Sequence, residues 1–179
     1  MDHELQIRDT APDFTLPGTD GKQHGLADYA EYKALVVIFT CNHCPYVKAY
    51  DDRIIALQDE FKERGVQFIG INSNEDRNYP EDSFDNMVKK AKEKGLNYPY
   101  LRDETQETAH AYGASHTPQI FVFDGGRKLR YKGKIDDNWR DPSRVRERFL
   151  SDALSELLEG GDVQNPETYA IGCTIKWQR

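Results

Sequence analysis

Cysteine is nearly missing from this chain: its 179 residues include Cys41, Cys44 and Cys173 and no others. So small and odd a count excludes the paired-disulfide framework that braces short secreted domains. Positive charge is in deficit too. Lys and Arg number 24 against 31 Asp and Glu, a formal charge of −7 at pH 7. That balance argues against nucleic acid or an anionic membrane as the main partner. No apolar run approaches the roughly 18 residues a membrane span needs. The opening "MDHELQIRDTAPDF" has neither the basic head nor the apolar stretch of a secretory signal, so a cytoplasmic location is expected. Internal repeats, low-complexity tracts and linkers are missing as well, and the length suits one domain over 1–179 with a full core.

What is present alternates between strand and helix patterns. "DFTLPGTDGKQHGLADY" carries turn signals between short extended pieces and predicts a hairpin-like lead-in. "ALVVIFT" (34–40) is a continuous β-branched run, the signature of a strand covered on both faces. A helix follows, with Val47, Tyr50, Ile54, Leu57 and Phe61 on one stripe, Pro45 in its first turn and Gly65 at its end. "VQFIGIN" is the next strand. Pro80 is expected to open a second helix with Phe84, Met87, Val88 and Ala91 on one face. "YPYL" is a short extended piece, and Asp103 with Gln106 suggests a capping box for a short helix. "QIFVF" and "KLRYKG" flank Asp124-Gly125-Gly126 as a hairpin. Asp141-Pro142 is expected to start the last helix, with Val145, Phe149, Ala153, Leu154 and Leu157 inward. The tail, 162–179, is irregular, but "GCTIKW" is apolar enough that it is expected to pack on the body. The order predicts an α/β fold, a mixed central sheet with helices on both faces.

"CNHC" stands where a buried strand gives way to a helix. Cys41 is expected at the helix N-cap, where free amides and the helix dipole favour a thiolate. Cys44 is expected one turn in and more buried. A helix end contributes about 0.3–1 kcal/mol, up to ~2 when partly buried, and a pKa unit is 1.36 kcal/mol, so the helix alone lowers the Cys41 pKa by roughly one unit. His43 is a second tuning group, or else a solvated turn residue. Three readings of the pair remain open: a redox couple, half of a metal site, or an inert pair. The strand-to-helix context favours redox, and no second C-x-x-C or H-x-x-x-H completes a four-ligand zinc site.

Longer blocks carry a family resemblance. "APDFTLPGTDGK", "VVIFTCNHCPYVKAYDDRI" and "HTPQIFVFD" together resemble the lead-in, active-site segment and cis-proline segment of thioredoxin-fold proteins of the peroxiredoxin-like (AhpC/TSA) and thioredoxin branch. "SNEDRNYPEDS", "YPYLRDETQETAHAYGA" and "GCTIKW" extend the likeness over almost the whole chain. The resemblance implies a thioredoxin-like fold and thiol-disulfide exchange without a bound cofactor or metal. It implies Cys41 as the attacking thiol, Cys44 as the resolving thiol, Pro118 as the cis-proline, and Thr117 as the backbone contact for an extended substrate. The implied partners are a protein or small-thiol disulfide and a thiol reductant; the chain is expected as a monomer or weak dimer.

The sequence also departs from the family pattern. Leu35 stands where thioredoxins carry a buried acid, Thr40 replaces their Trp, and Asn42-His43 replaces Gly-Pro. The P-x-x-x-T/S-x-x-C pattern of peroxiredoxins is missing: from Cys44 its helper positions are Val37 and Cys41. Thiol peroxidase activity is therefore an alternative. A copper- or zinc-handling site of Cys41, Cys44 and His116 is an alternative of another class. His116 otherwise reads as a loop histidine that donates to a thiolate or stays in solvent. Cys173 is either a buried small hydrophobe or a third redox cysteine. His3, His24 and His110 are expected on the surface, and Asp136 and Asp137 as loop caps.

Overall fold

The computed structural model describes residues 4–179; His3 lies outside them. Its centre is a five-stranded sheet. The β-branched run forms β3 (Ala34–Phe39), every residue of it buried. β3 pairs in parallel with β4 (Val66–Asn72), which pairs in parallel with β5 (Tyr100–Arg102). On its other side β3 pairs antiparallel with β7 (Gln119–Asp124), which turns back into β8 (Leu129–Gly133), giving the order β5-β4-β3-β7-β8. The lead-in is a small separate hairpin, β1 (Thr15–Pro17) against β2 (Gln23–Gly25). This is the expected thioredoxin-like α/β fold.

The two faces of β3 see different cores. Leu35, Val37 and Phe39 meet Phe14, Tyr112, Phe121 and Ile175. Ala34, Val36 and Ile38 meet Tyr50, Ile54 and Phe61 of α1 (Pro45–Lys62) and Leu150 and Leu154 of α4 (Phe149–Leu158). The α1 stripe predicts the inward residues well, except that Leu57 is only half-buried. Gln58, a polar residue, is buried instead. It donates to Val66 O (3.0 Å) and accepts from Phe68 N (2.7 Å), stitching α1 to the β4 backbone.

Several boundaries differ from expectation for local reasons. Pro80 opens only a single turn, Pro80–Asp82, and α2 (Phe84–Lys94) starts afresh at Ser83, whose hydroxyl caps Asn86 N at 3.2 Å. Met87 is buried there, but Val88 is exposed. α3 (Glu107–Tyr112) has no capping box: Gln106 sits at φ +68°, and the Asp103 carboxylate takes the amides of Thr108 and Ala109 at 3.3 and 2.9 Å. Asp141 caps one turn, Pro142–Arg144. The chain then runs extended because Asp137 holds Arg146 N at 2.9 Å, so α4 begins at Phe149 and Val145 is not in the core. Asp136 is more than a loop cap: it is buried, bonded to Tyr50 Oη (2.7 Å) and Arg53 (2.9 Å). His24 is not a surface residue either; its ring lies between Tyr29 Oη (2.6 Å) and Asp20 (2.9 Å). His110 is exposed and stacks on Trp177.

The tail crosses the molecule. Thr168 bonds to Lys132 O and Lys134 N. A two-residue strand, β9 (Cys173–Thr174), pairs antiparallel with β6 (His116–Thr117), and Ile175 enters the core. No helix among the described residues is long and apolar enough to cross a membrane.

Candidate active site

Thr40 still bonds to Ile71 O at 2.8 Å, so the sheet holds the chain up to the cysteines. Residues 41–43 then form a turn outside the helix. Asn42 N donates to Asp82 at 2.7 Å and its side-chain amide to Glu81 O at 2.9 Å. This anchor keeps the turn out of α1, and Pro45 fixes the first helical position. Cys44, not Cys41, is therefore the N-cap, with φ −61° and ψ 130°. Burial is also reversed: Cys41 is 2% exposed and Cys44 6%.

Three sulfurs converge on the Thr117–Pro118 peptide, which is cis. Cys41 Sγ lies 3.5 Å from Thr117 Oγ1, and Cys44 Sγ 3.5 Å from Thr117 O. Cys173 is delivered by β9, its Sγ 2.6 Å from Cys44 Sγ.

Cys41 and Cys44 titrate as a coupled pair, and the surroundings favour the charge on Cys44. Its pKa is pulled down, first by the neighbouring Cys41 sulfur, against the cost of burial, then by Cys173 and the amides of Val47 and Cys173. The Cys41 thiol is pushed far above its usual range by that bond to Cys44, by burial and by the Asp82 charge. Cys173 is raised to about 11, by burial and then by its contact with Cys44. The helix end expected at Cys41 falls at Cys44 instead. The helix end and the donors act on Cys44.

A buried carboxylate does lie beside the pair, on an element that sequence reasoning passed over. Asp82, 4% exposed, accepts from Asn42 N, Asn72 Nδ2 (3.2 Å) and Asn74 Nδ2 (3.0 Å). Tyr100 Oη donates to Asn42 Oδ1 at 2.7 Å. Lys90 of α2 donates to Cys41 O at 2.8 Å and pairs with buried Asp51 of α1 at 3.1 Å. No spacing rule links these residues to Cys41; the turn before α2, the α2 helix and β5 bring them there.

His43 is exposed and lines a cleft of about 370 Å³ with Lys48, Lys89, Lys90 and Lys94. His116 Nδ1 bonds to Ser115 Oγ at 2.7 Å, and the residue borders another cavity with Tyr112 and Lys132. The proposed copper or zinc set of Cys41, Cys44 and His116 is not brought together. Among the described residues no group of three His, Cys, Asp or Glu side chains is placed to hold an ion.

The AhpC/TSA family profile matches residues 7–132. The chain belongs to the AhpC/TSA family. Among curated relatives, thiol-disulfide oxidoreductase ResA of Geobacillus thermodenitrificans is 27% identical over 129 residues, 70% of this chain and 68% of that one. Peroxiredoxin Bcp of Escherichia coli is 28% identical over 143 residues, 76% of this chain and 86% of that one. Among solved structures, an uncharacterized conserved protein of Geobacillus kaustophilus superposes with a TM-score of 0.92 at 40% identity, covering 99% of this chain and 95% of that one.

Proposed function

We propose that this AhpC/TSA-family chain is a thiol-disulfide oxidoreductase whose nucleophile is Cys44. The observation that carries the reading is the place of Cys44: its sulfur caps α1, lies 2.6 Å from Cys173 Sγ and faces the cis Thr117–Pro118 peptide. In the reaction, the Cys44 thiolate attacks one sulfur of a substrate disulfide RS–SR. One RS⁻ leaves and takes up a proton. A mixed disulfide, Cys44–S–SR, remains. The charged sulfur that held the Cys41 proton is then gone, so Cys41 ionises more readily. It attacks Cys44 Sγ, the second RS⁻ leaves, and a Cys41–Cys44 disulfide closes. Two electrons pass to the substrate, and an external thiol reductant restores the dithiol. Thr117 and Pro118 form the wall beside the reacting sulfurs.

A second reading draws support from the Cys44 thiolate and the likeness to peroxiredoxin Bcp. There, Cys44 S⁻ attacks the O–O bond of ROOH, and with one proton gives ROH and Cys44 sulfenic acid. A neighbouring thiol then condenses with it, releasing water and leaving a disulfide.

The test adds glutathione disulfide, and separately hydrogen peroxide, to the reduced protein and counts thiols. Exchange predicts loss of two thiols per chain with glutathione disulfide, and none in Cys44→Ser. Equal thiol loss in Cys44→Ser would remove Cys44 from the nucleophile's role. Rapid loss at stoichiometric peroxide alone would move the assignment to the peroxidase.

A further inference from the structure

The outer edge of β6 is already filled, by this chain's own tail. His116 faces Thr174 and Thr117 faces Cys173 in an antiparallel ladder. Ile175 N continues it to Ser115 O at 2.9 Å. The approach is tight: a β-carbon on Gly172 would lie 2.0 Å from Thr117 O, so no other residue fits there. Further along, Gln106 grips the tail twice, donating to Lys176 O at 2.8 Å and accepting from Gln178 N at 3.0 Å. Asn74 Oδ1 accepts from Lys176 N at 2.8 Å. Ile175 is only 3% exposed. A backbone held this closely, with a cysteine at the register position that meets Cys44, has the form of a bound disulfide substrate.

We infer that residues 172–175 are a built-in substrate strand, which presents Cys173 to Cys44 as its reaction partner and closes the β6 edge to extended protein substrates. This rests on the exchange reading above and deepens it. A small disulfide or hydroperoxide reaches Cys44 without pairing to β6. A protein disulfide has to displace the tail first. The chemistry runs through three sulfurs. After Cys44 forms a mixed disulfide with RS, Cys173 loses its proton and attacks Cys44 Sγ, RS⁻ leaves and is protonated, and a Cys44–Cys173 disulfide forms. Cys41 then attacks Cys44 Sγ, Cys173 leaves and regains a proton, and the oxidised couple becomes Cys41–Cys44. The raised Cys173 pKa fits this order, because part of its cause, the Cys44 charge, disappears once Cys44 is bonded to substrate.

The test uses the full chain in a Cys41→Ser background, so that Cys173 is the only internal thiol left to resolve Cys44. Glutathione disulfide is added, free thiols are alkylated, and peptides are mapped by mass. The expected result is a Cys44–Cys173 crosslink with little glutathione adduct. Adding Cys173→Ser should lengthen the adduct's life about tenfold or more, since a tethered thiol acts at roughly millimolar effective concentration against ~0.1 mM added thiol. Gly172→Ala, which leaves every sulfur in place, should lengthen it likewise. In the chain with all three cysteines it should also speed reduction of insulin. Equal adduct lifetimes with and without Cys173 would overturn the inference and leave the exchange reading standing. No adduct on Cys44 in any variant would overturn both.

Discussion

Removing the Cys41 thiol beside Cys44 should change the pH dependence of Cys44 chemistry more than the speed. Cys41 is the first cause of the low Cys44 pKa of about 4. At pH 6.5 an ordinary thiol, with a pKa near 8.5, is roughly 1% thiolate, whereas Cys44 is almost wholly so. That is a gain of about a hundredfold in reactive form. Intrinsic nucleophilicity falls by a slope of about 0.4–0.5 per pKa unit. Over ~4.5 units the loss is also about a hundredfold, so the two cancel. The rate at pH 6.5 should resemble that of a free thiol, but the profile should not. A depressed pKa keeps the thiolate present at every pH above about 4 and loses it only as pH falls through that value. The first release of pyridinethione from dipyridyl disulfide should therefore be nearly flat from pH 5 to 8. An ordinary thiol would rise about tenfold per unit over the same range. Cys41→Ala should restore much of that slope, and Cys41→Ser, which keeps an O–H donor, much less. A steep wild-type profile, or a flat one in Cys41→Ala, would refute the reasoning.

Other perturbations test the surroundings. Asp82→Asn removes a charge that holds the Cys41 proton, so ring closure, read as the second thione release, should begin at lower pH. It also weakens bonds from three buried N–H groups, costing about 1.5–3 kcal/mol in urea unfolding. Lys90→Met leaves Asp51 unpaired where burial already raises its carboxyl pKa; removing one partner of a buried pair costs about 3–5 kcal/mol. A loss under ~1 kcal/mol would place that pair effectively in solvent. Gln58→Leu strips the buried Val66 carbonyl and Phe68 amide of their partner and should cost about 1–3 kcal/mol by the same melts.

Strong local signals are legible in the sequence, and cross-chain geometry is not. The run of residues 34–39 gives β3 because every side chain is apolar and the strand is covered on both faces. The 3- and 4-residue steps from Val47 to Phe61 give α1, and the Asp124-Gly125-Gly126 turn gives the β7–β8 hairpin. The cysteine pair is visible from its spacing, but its polarity is not. Which cysteine caps α1 depends on Asp82, about forty residues away, holding Asn42 out of the helix. β9 is two residues long, too short for any periodicity, and its pairing with β6 is set by Gly172 and Gln106. His116 looks close to the sulfurs by its position before Thr117, yet alternation along a strand turns neighbouring side chains to opposite sides, and its ring bonds to Ser115.

The most direct measurement compares two single-cysteine proteins at pH 6. One keeps only Cys44, as Cys41→Ser/Cys173→Ser. The other keeps only Cys41, as Cys44→Ser/Cys173→Ser. Each is mixed with glutathione disulfide, and the adduct is located by mass. The expected result is an adduct on Cys44 at about the rate of a free thiol, with Cys41 slower because burial and the Asp82 charge still hold its proton. Equal rates, or a faster adduct on Cys41, would contradict it.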